Sequence, residues 1–258
     1  MMLGAFIGDM VGKPYEFSPI NSKEFPLFTK KCTFTDDTVC TAAICEWLLD
    51  GAEEDPSVYL RKWCSRYVYR GYGNYFAKWV KDTTIGPYDS WGNGSAMRVS
   101  PVGYFARDKK EVLELAKISA EPTHGHPDAV AGAQATALAI FRAIRKTNKE
   151  DILSEIREDF GYKLDKTMDE IRPNYTFYVD CKRTVPPSIL AATEASSFED
   201  AIRNAISLGG DADTMGAITG SIAEPMFGIP EEIAIKGISR LPDDMRELLV
   251  RFASELTD

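Results

Sequence analysis

Apolar residues recur at three- to four-residue spacing along most of this chain, the period of a helix rather than of a strand. The stretch 37–49 (DTVCTAAICEWLL) places Val39, Ala42, Ala43, Cys45 and Leu48/Leu49 on one broad face, with Asp36 as its expected N-cap and an end before Gly51. Residues 56–69 start on Pro56 and carry Val58, Leu60, Trp63 and Tyr67. The same period predicts helices over 109–120 and 127–146, the second opening on Pro127, a favoured first-turn residue. Further helices are expected over 150–159, 186–196, 198–207, 212–224, 231–238 and 242–256. In 212–224, Gly216 and Gly220 stand four apart, which predicts a face for close helix packing. Alternating strand patterns are scarce, and the short stretch Tyr175–Val179 is the best of them. Three stretches lack a helical period: 12–34, 70–103 and 160–185. Long irregular segments in a compact domain are often functional. The expectation is an all-α chain forming one domain over 1–258, without internal repeat or linker.

Composition narrows the classes of function. The 258 residues are 44% hydrophobic and 27% charged, as in an ordinary globular protein. The net charge of −9 and the lack of a Lys/Arg run argue against an extended nucleic acid or an anionic membrane surface as partner. No apolar run approaches the ~20 residues of a membrane span. Met1–Val11 is short and carries Asp9, unlike a signal peptide, so the cytoplasm is the expected location. The five cysteines are odd in number, form no CxxC, and are expected as reduced structural thiols.

The chemistry concentrates in two acidic clusters, Thr35-Asp36-Asp37-Thr38 and Asp211-Ala212-Asp213-Thr214, with Glu16 as a further acid after a Gly/Pro turn. Each cluster sits where a loop is expected to enter a helix. Helix capping explains one acid or hydroxyl at such a place, but not two acids and their flanking threonines. Hard divalent cations take several oxygen ligands, so these carboxylates and hydroxyls suit a one- or two-metal site and point to hydrolysis. Gly92-Asn93-Gly94-Ser95 permits a tight turn whose N–H groups can face a phosphate or ribose; a helix-start loop is the plainer alternative. His124 and His126 lack the further His or Cys ligands that zinc requires; phosphate contact and capping or packing both stay open. The aromatics of Tyr67–Trp91 suit either a core or a stacking surface.

Taken in order, five motifs resemble those of the ADP-ribosylglycohydrolase family: Gly4–Glu16, Phe34–Thr38, Gly92–Arg98, Thr123–Pro127 and Gly209–Gly220. Together they cover Gly4 to about Gly228. The resemblance implies an orthogonal helical bundle with a cleft holding two divalent cations, Mg²⁺ or Mn²⁺. It implies Thr35, Asp36 and Asp37 as ligands of one cation, and Asp211, Asp213 and Thr214 as ligands of the other, with Asp213 bridging. Glu16 matches the family's active-site glutamate, which makes Glu16, Asp36 and Asp37 the candidate catalytic carboxylates. Gly92, Asn93, Gly94 and Ser95 match a loop beside the ADP-ribose, and His124 a position near the diphosphate or behind it. The implied reaction releases ADP-ribose from an ADP-ribosylated protein or small substrate, with arginine the favoured acceptor and a monomer the expected state. Asp89 lies near the place of substrate-selecting acids in arginine-specific members, but out of register. A phosphohydrolase acting on ADP-ribose or a nucleotide, and a non-catalytic ADP-ribose binder, are the alternatives.

Overall fold

The structure, a computed structural model, describes residues 2–256. Among them are fifteen α-helices and no sheet. In chain order these are α1 (Leu3–Gly12), α2 (Asp36–Leu49), α3 (Pro56–Arg66), α4 (Asn74–Lys81) and α5 (Gly94–Met97). They continue with α6 (Ser100–Phe105), α7 (Lys109–Ala120), α8 (Pro127–Ile144), α9 (Lys149–Phe160) and α10 (Met168–Ile171). The last five are α11 (Cys181–Thr193), α12 (Phe198–Ile206), α13 (Ala212–Phe227), α14 (Glu231–Ile238) and α15 (Asp243–Glu255). The fold is all-α, and its buried apolar side chains form one continuous cluster that reaches from Met2 to Phe252.

At the centre lies an antiparallel pair, α1 and α13. Every residue of α1 is buried, which is why its sequence shows no polar face. A Cβ added to Gly4 would run into the carbonyl of Gly220, one on Gly8 into Gly216, and one on Gly12 into Ala212. The two backbones therefore touch along three glycines of α1, and the Gly216/Gly220 face expected from the sequence meets its partner here. Glycine is a poor helix former, so α1 holds its shape through packing rather than propensity. This register also sets one acid of α1, Asp9, near the start of α13, where Asp213 stands.

Several elements differ from the sequence expectation. The N-cap of α2 is Thr35, whose Oγ1 accepts from the Asp37 N–H at 3.3 Å; Asp36 is instead the first helical residue. Tyr175–Val179 forms no strand, and only two isolated bridges occur, Asp89 with His124 and Gly92 with Asp180. The stretch 70–103 contains α4, α5 and the start of α6, and 160–185 contains α10 and the start of α11. Helices of four to six residues are too short to display a period. α11 begins five residues before its expected start and contains Pro186 and Pro187. Asp180 caps it through the Arg183 N–H, and the Arg183 carbonyl, which Pro187 cannot satisfy, accepts from the Tyr175 hydroxyl at 3.0 Å. No helix among the described residues is long and apolar enough to cross a membrane. All five cysteines are buried and free; Cys40 and Cys64 bring their sulfurs to 3.7 Å.

Candidate active site

The site is built outward from Asp9. Its carboxylate is fully buried and accepts four hydrogen bonds from one loop. Thr35 gives its N–H at 2.9 Å and its hydroxyl at 2.8 Å; Thr38 gives its N–H at 3.1 Å and its hydroxyl at 2.5 Å. These bonds pin the start of α2 onto α1. Burial pushes the Asp9 pKa up to about 6, against the lowering effect of the four donors.

The pinned loop presents Asp37 inward. Asp37 Oδ2 lies 3.1 Å from the Thr35 hydroxyl, which shares its one proton with the nearer Asp9, while Oδ1 is buried with no hydrogen-bond partner. Oxygens of Asp9, Asp37 and Asp213 lie within 4.8 Å of one another, and so do oxygens of Glu16, Asp211 and Asp213. Asp213 thus belongs to both groups. Asp36 and Thr214 line the same cleft without joining either group, and the Thr35 hydroxyl faces Asp9. Asp211 is fixed from across the cleft by Asn93, whose Nδ2 donates to it at 2.7 Å. Lys13 donates to Glu16 and stands 3.8 Å from Asp213 Oδ2.

So many acids in so little space cannot all stay ionised alone. Burial, then the charge of Asp9, pushes the Asp36 pKa up to about 7. Burial drives Asp37 and Asp213 well above the ordinary carboxylate range; Asp9 and Asp36 add to it for the first, Asp37 and Asp211 for the second. Asp211 is raised by burial as well, with Asn93 opposing. The N-termini of α2 and α13 both aim partial positive charge at this cluster, which offsets only part of the repulsion. An all-oxygen donor set, crowded charge and an orphaned Asp37 oxygen are what a hard divalent cation satisfies, so the residues fit the expected metal.

Above the acids opens a cavity of about 550 Å³. The Gly92–Gly94 turn forms one wall, anchored where the Asn93 N–H donates to the Val179 carbonyl at 2.8 Å. A Cβ on Gly94 would collide with the imidazole of His124, so the turn and the ring pack directly together. His124 is buried, and its pKa lies well below the usual value through burial and then Arg98. Its Nδ1 lies 2.7 Å from the Thr123 hydroxyl, which itself accepts from Arg98 at 2.9 Å. The other ring nitrogen, Nε2, lies on the side of the turn. Ser95 does not reach the cleft: it is fully buried and its hydroxyl donates to the Ala129 carbonyl at 2.8 Å. His126 caps α8 by accepting from the Asp128 N–H. The mouth is aromatic, with Phe17, Tyr75, Trp91 and Phe177 all more than 40% exposed, and Phe17 and Phe177 stacked at 6.1 Å. Asp89 lies outside this lining.

Four contributors escaped the sequence reading: Asp9, Lys13, Phe17 and Phe177. Asp9 carried a usable signal, since an acid in the middle of an otherwise apolar, glycine-spaced run needs a buried partner. Lys13, Phe17 and Phe177 carried none, because their roles depend on segments distant in the chain.

Fold and site together define an all-α chain with an acid-floored cleft under an aromatic rim. The chain belongs to the ADP-ribosylglycohydrolase family, whose model matches residues 1–258. Hydrolysis of an ADP-ribosyl linkage is the kind of reaction this membership brings. Among its relatives, the ADP-ribosylarginine hydrolase Tri1 of Pseudomonas putida is 24% identical over 88% of this chain and 70% of its own. The ADP-ribosylhydrolase ARH3 of Gallus gallus is 26% identical over 76% of this chain and 70% of its own. A solved structure titled ADP-ribosylglycohydrolase-related protein complex superposes with a TM-score of 0.72 at 23% identity, covering 97% of this chain and 96% of that one; it shares the fold.

Proposed function

We propose that this chain cleaves the glycosidic bond between ADP-ribose and a modified acceptor, foremost protein arginine, and releases ADP-ribose with the help of two divalent cations, Mg²⁺ or Mn²⁺. The reading rests above all on the two carboxylate groups that share Asp213 at the floor of the cleft. Asp37, Asp213 and Asp36 would hold one cation, with the Thr35 oxygen beside them; Glu16, Asp211 and Asp213 would hold the other, with Thr214 beside them. Asp9 serves as the anchor of the α2 loop, with three hydrogen bonds to its Oδ2 and one to its Oδ1. Bound there, the cations would supply the positive charge that orients ribose hydroxyls and makes water a nucleophile at neutral pH.

The protein's own groups divide the remaining work. Glu16, at the edge of the cleft and partly exposed, is placed to take a proton from water or give one to the leaving group. The neutral His124 places its Nε2 behind the Gly92–Gly94 turn, on the wall where ADP-ribose would be met. The exposed faces of Phe17, Tyr75, Trp91 and Phe177 suit a stacked adenine and, equally, a guanidinium. Those faces support arginine in the absence of Asp89 from the lining, as does the activity named in the Pseudomonas relative.

The test is mass-spectrometric product analysis on arginine-ADP-ribosylated protein with Mg²⁺, with Mn²⁺ and with chelator. Release of intact ADP-ribose and unmodified arginine, lost with chelator, is expected. Intact linkage with cation bound rejects arginine; AMP with ribose phosphate indicates a phosphohydrolase instead.

A further inference from the structure

The two carboxylate groups differ in one respect that the shared Asp213 conceals. The second, made of Glu16, Asp211 and Asp213, already has a positive charge against it. Lys13 lies in the turn after α1, its side chain 28% exposed, and its ammonium donates to Glu16 and stands 3.8 Å from Asp213. Two of the three acids of this group therefore face the same ammonium. The charges around Lys13 are those of Glu16 in its own turn, Asp213 and Asp211 at the start of α13 and, behind them, Asp9 on α1; the aromatic ring of Phe17 lies 5.5 Å away. No ammonium or guanidinium pairs with Asp37 among the described residues, and its Oδ1 has no partner at all.

We propose that Lys13 is a tethered cation that competes with the divalent ion at the Glu16–Asp211–Asp213 group. The two cation sites then differ in affinity, and the weaker fills only as Lys13 withdraws. This rests on the two-cation reading above. A single cation would bind at low free concentration, at the Asp37 side, and leave the protein incomplete. Full loading, with Glu16 freed from its lysine, would follow the free divalent concentration over a higher range. Glu16 thus cannot serve both the lysine and the cation, and Lys13 becomes a positioning residue for the acid at the cleft mouth.

The experiment is a Mn²⁺ titration of the metal-free full chain, read by calorimetry and by electron paramagnetic resonance, on wild type, Lys13→Met and Lys13→Arg. Wild type is expected to show two classes of site. In Lys13→Met the weaker class tightens about tenfold, because a unit charge close to the ligands is gone, while the tighter class moves less than about threefold. Lys13→Arg retains two separated classes. Equal shifts in both classes mean a diffuse charge effect and overturn the proposal, as does a weaker class that is unchanged or loosened. Two cations bound with one affinity in wild type also overturn it, yet leave the two-cation reading standing; no Mn²⁺ binding in any variant removes both. Should Lys13→Met fail to fold by circular dichroism, a crystal structure of Mn²⁺-loaded wild type decides. A Lys13 ammonium still against Glu16 and Asp213 with both sites filled overturns the proposal; one drawn away supports it.

Discussion

The two acidic loops look alike in sequence and are held in opposite ways. Thr35-Asp36-Asp37-Thr38 is tied to the central helix by one buried carboxylate, Asp9, which takes four hydrogen bonds from it. Asp211-Ala212-Asp213-Thr214 has no such anchor. Asp211 depends on Asn93 from a distant turn, and Asp213 on the Thr214 N–H at 3.1 Å and on Lys13. The first loop is therefore bound to the core through side-chain hydrogen bonds, while the second is the first turn of α13 itself, its backbone against Gly12 and its acid side chains oriented from the cleft walls. Side chains tied to a buried anchor arrive ordered and resist change, whereas acids oriented from several segments are adjustable and sensitive to each contributor.

The sharpest way to break this contrast is Asp9→Ala. It leaves two buried N–H groups and two hydroxyls without an acceptor, each costing on the order of 1–3 kcal/mol. A loss of about 4 kcal/mol in urea unfolding, with turnover abolished, is expected; near-normal stability would mean that the first loop does not rely on its anchor. Next in size is Asp213→Asn, which removes the oxygen common to both carboxylate groups. Its turnover should fall by about 10²–10³-fold, the scale of losing one preorganised electrostatic contact, while the fold persists. Retained turnover in single-turnover assays would sink the shared-floor arrangement. Asn93→Ala sharpens the second half alone. It removes the one side chain that orients Asp211, and a loss of about 10–100-fold in cation affinity is expected at the weaker class of site only.

The smallest effect is one of pH. Carboxyls raised in the folded state, namely Asp36 (about 7), Asp37 and Asp213, hold protons that the unfolded chain has already released. The metal-free protein therefore loses stability as pH rises through their folded-state range. His124, depressed when folded, acts in the opposite sense below about 6.5. Between pH 6.5 and 8.5 the carboxyls act in this sense, joined toward the upper end by the buried thiols of Cys40, Cys45 and Cys181, and the thermal midpoint without metal should fall by about 3 °C. Saturating Mg²⁺ should remove most of that fall. A flat metal-free profile in calorimetry would show that the acids are already relieved by some other means.

Much of this was legible before any coordinates. Helices 109–120 and 231–238 match α7 and α14 residue for residue, because each carries its own period and its own boundaries. Asp36, Asp37, Asp211, Asp213, Glu16, Asn93 and His124 do come together at one cleft. The sequence misplaced Ser95, whose polar type suggested a ligand contact while its place as the second residue of α5 points it at α8. It also passed over α1 as a helix, since glycines every four residues lower local propensity and pay off only against a second helix.

What the sequence determined by itself is chemistry and local shape: helical period, cap and turn residues, and an oxygen-rich donor set at two points of the chain. These follow from side-chain type and from neighbours within a few residues. What only the tertiary structure decided is pairing. The glycine contact of α1 with α13 sets Asp9 under one loop and Asp213 between two groups of acids, and chain folding carries Asn93 to Asp211 and Lys13 to Asp213. Such contacts join residues up to two hundred positions apart, and their energy depends on burial and distance, neither of which is written in the local order of residues.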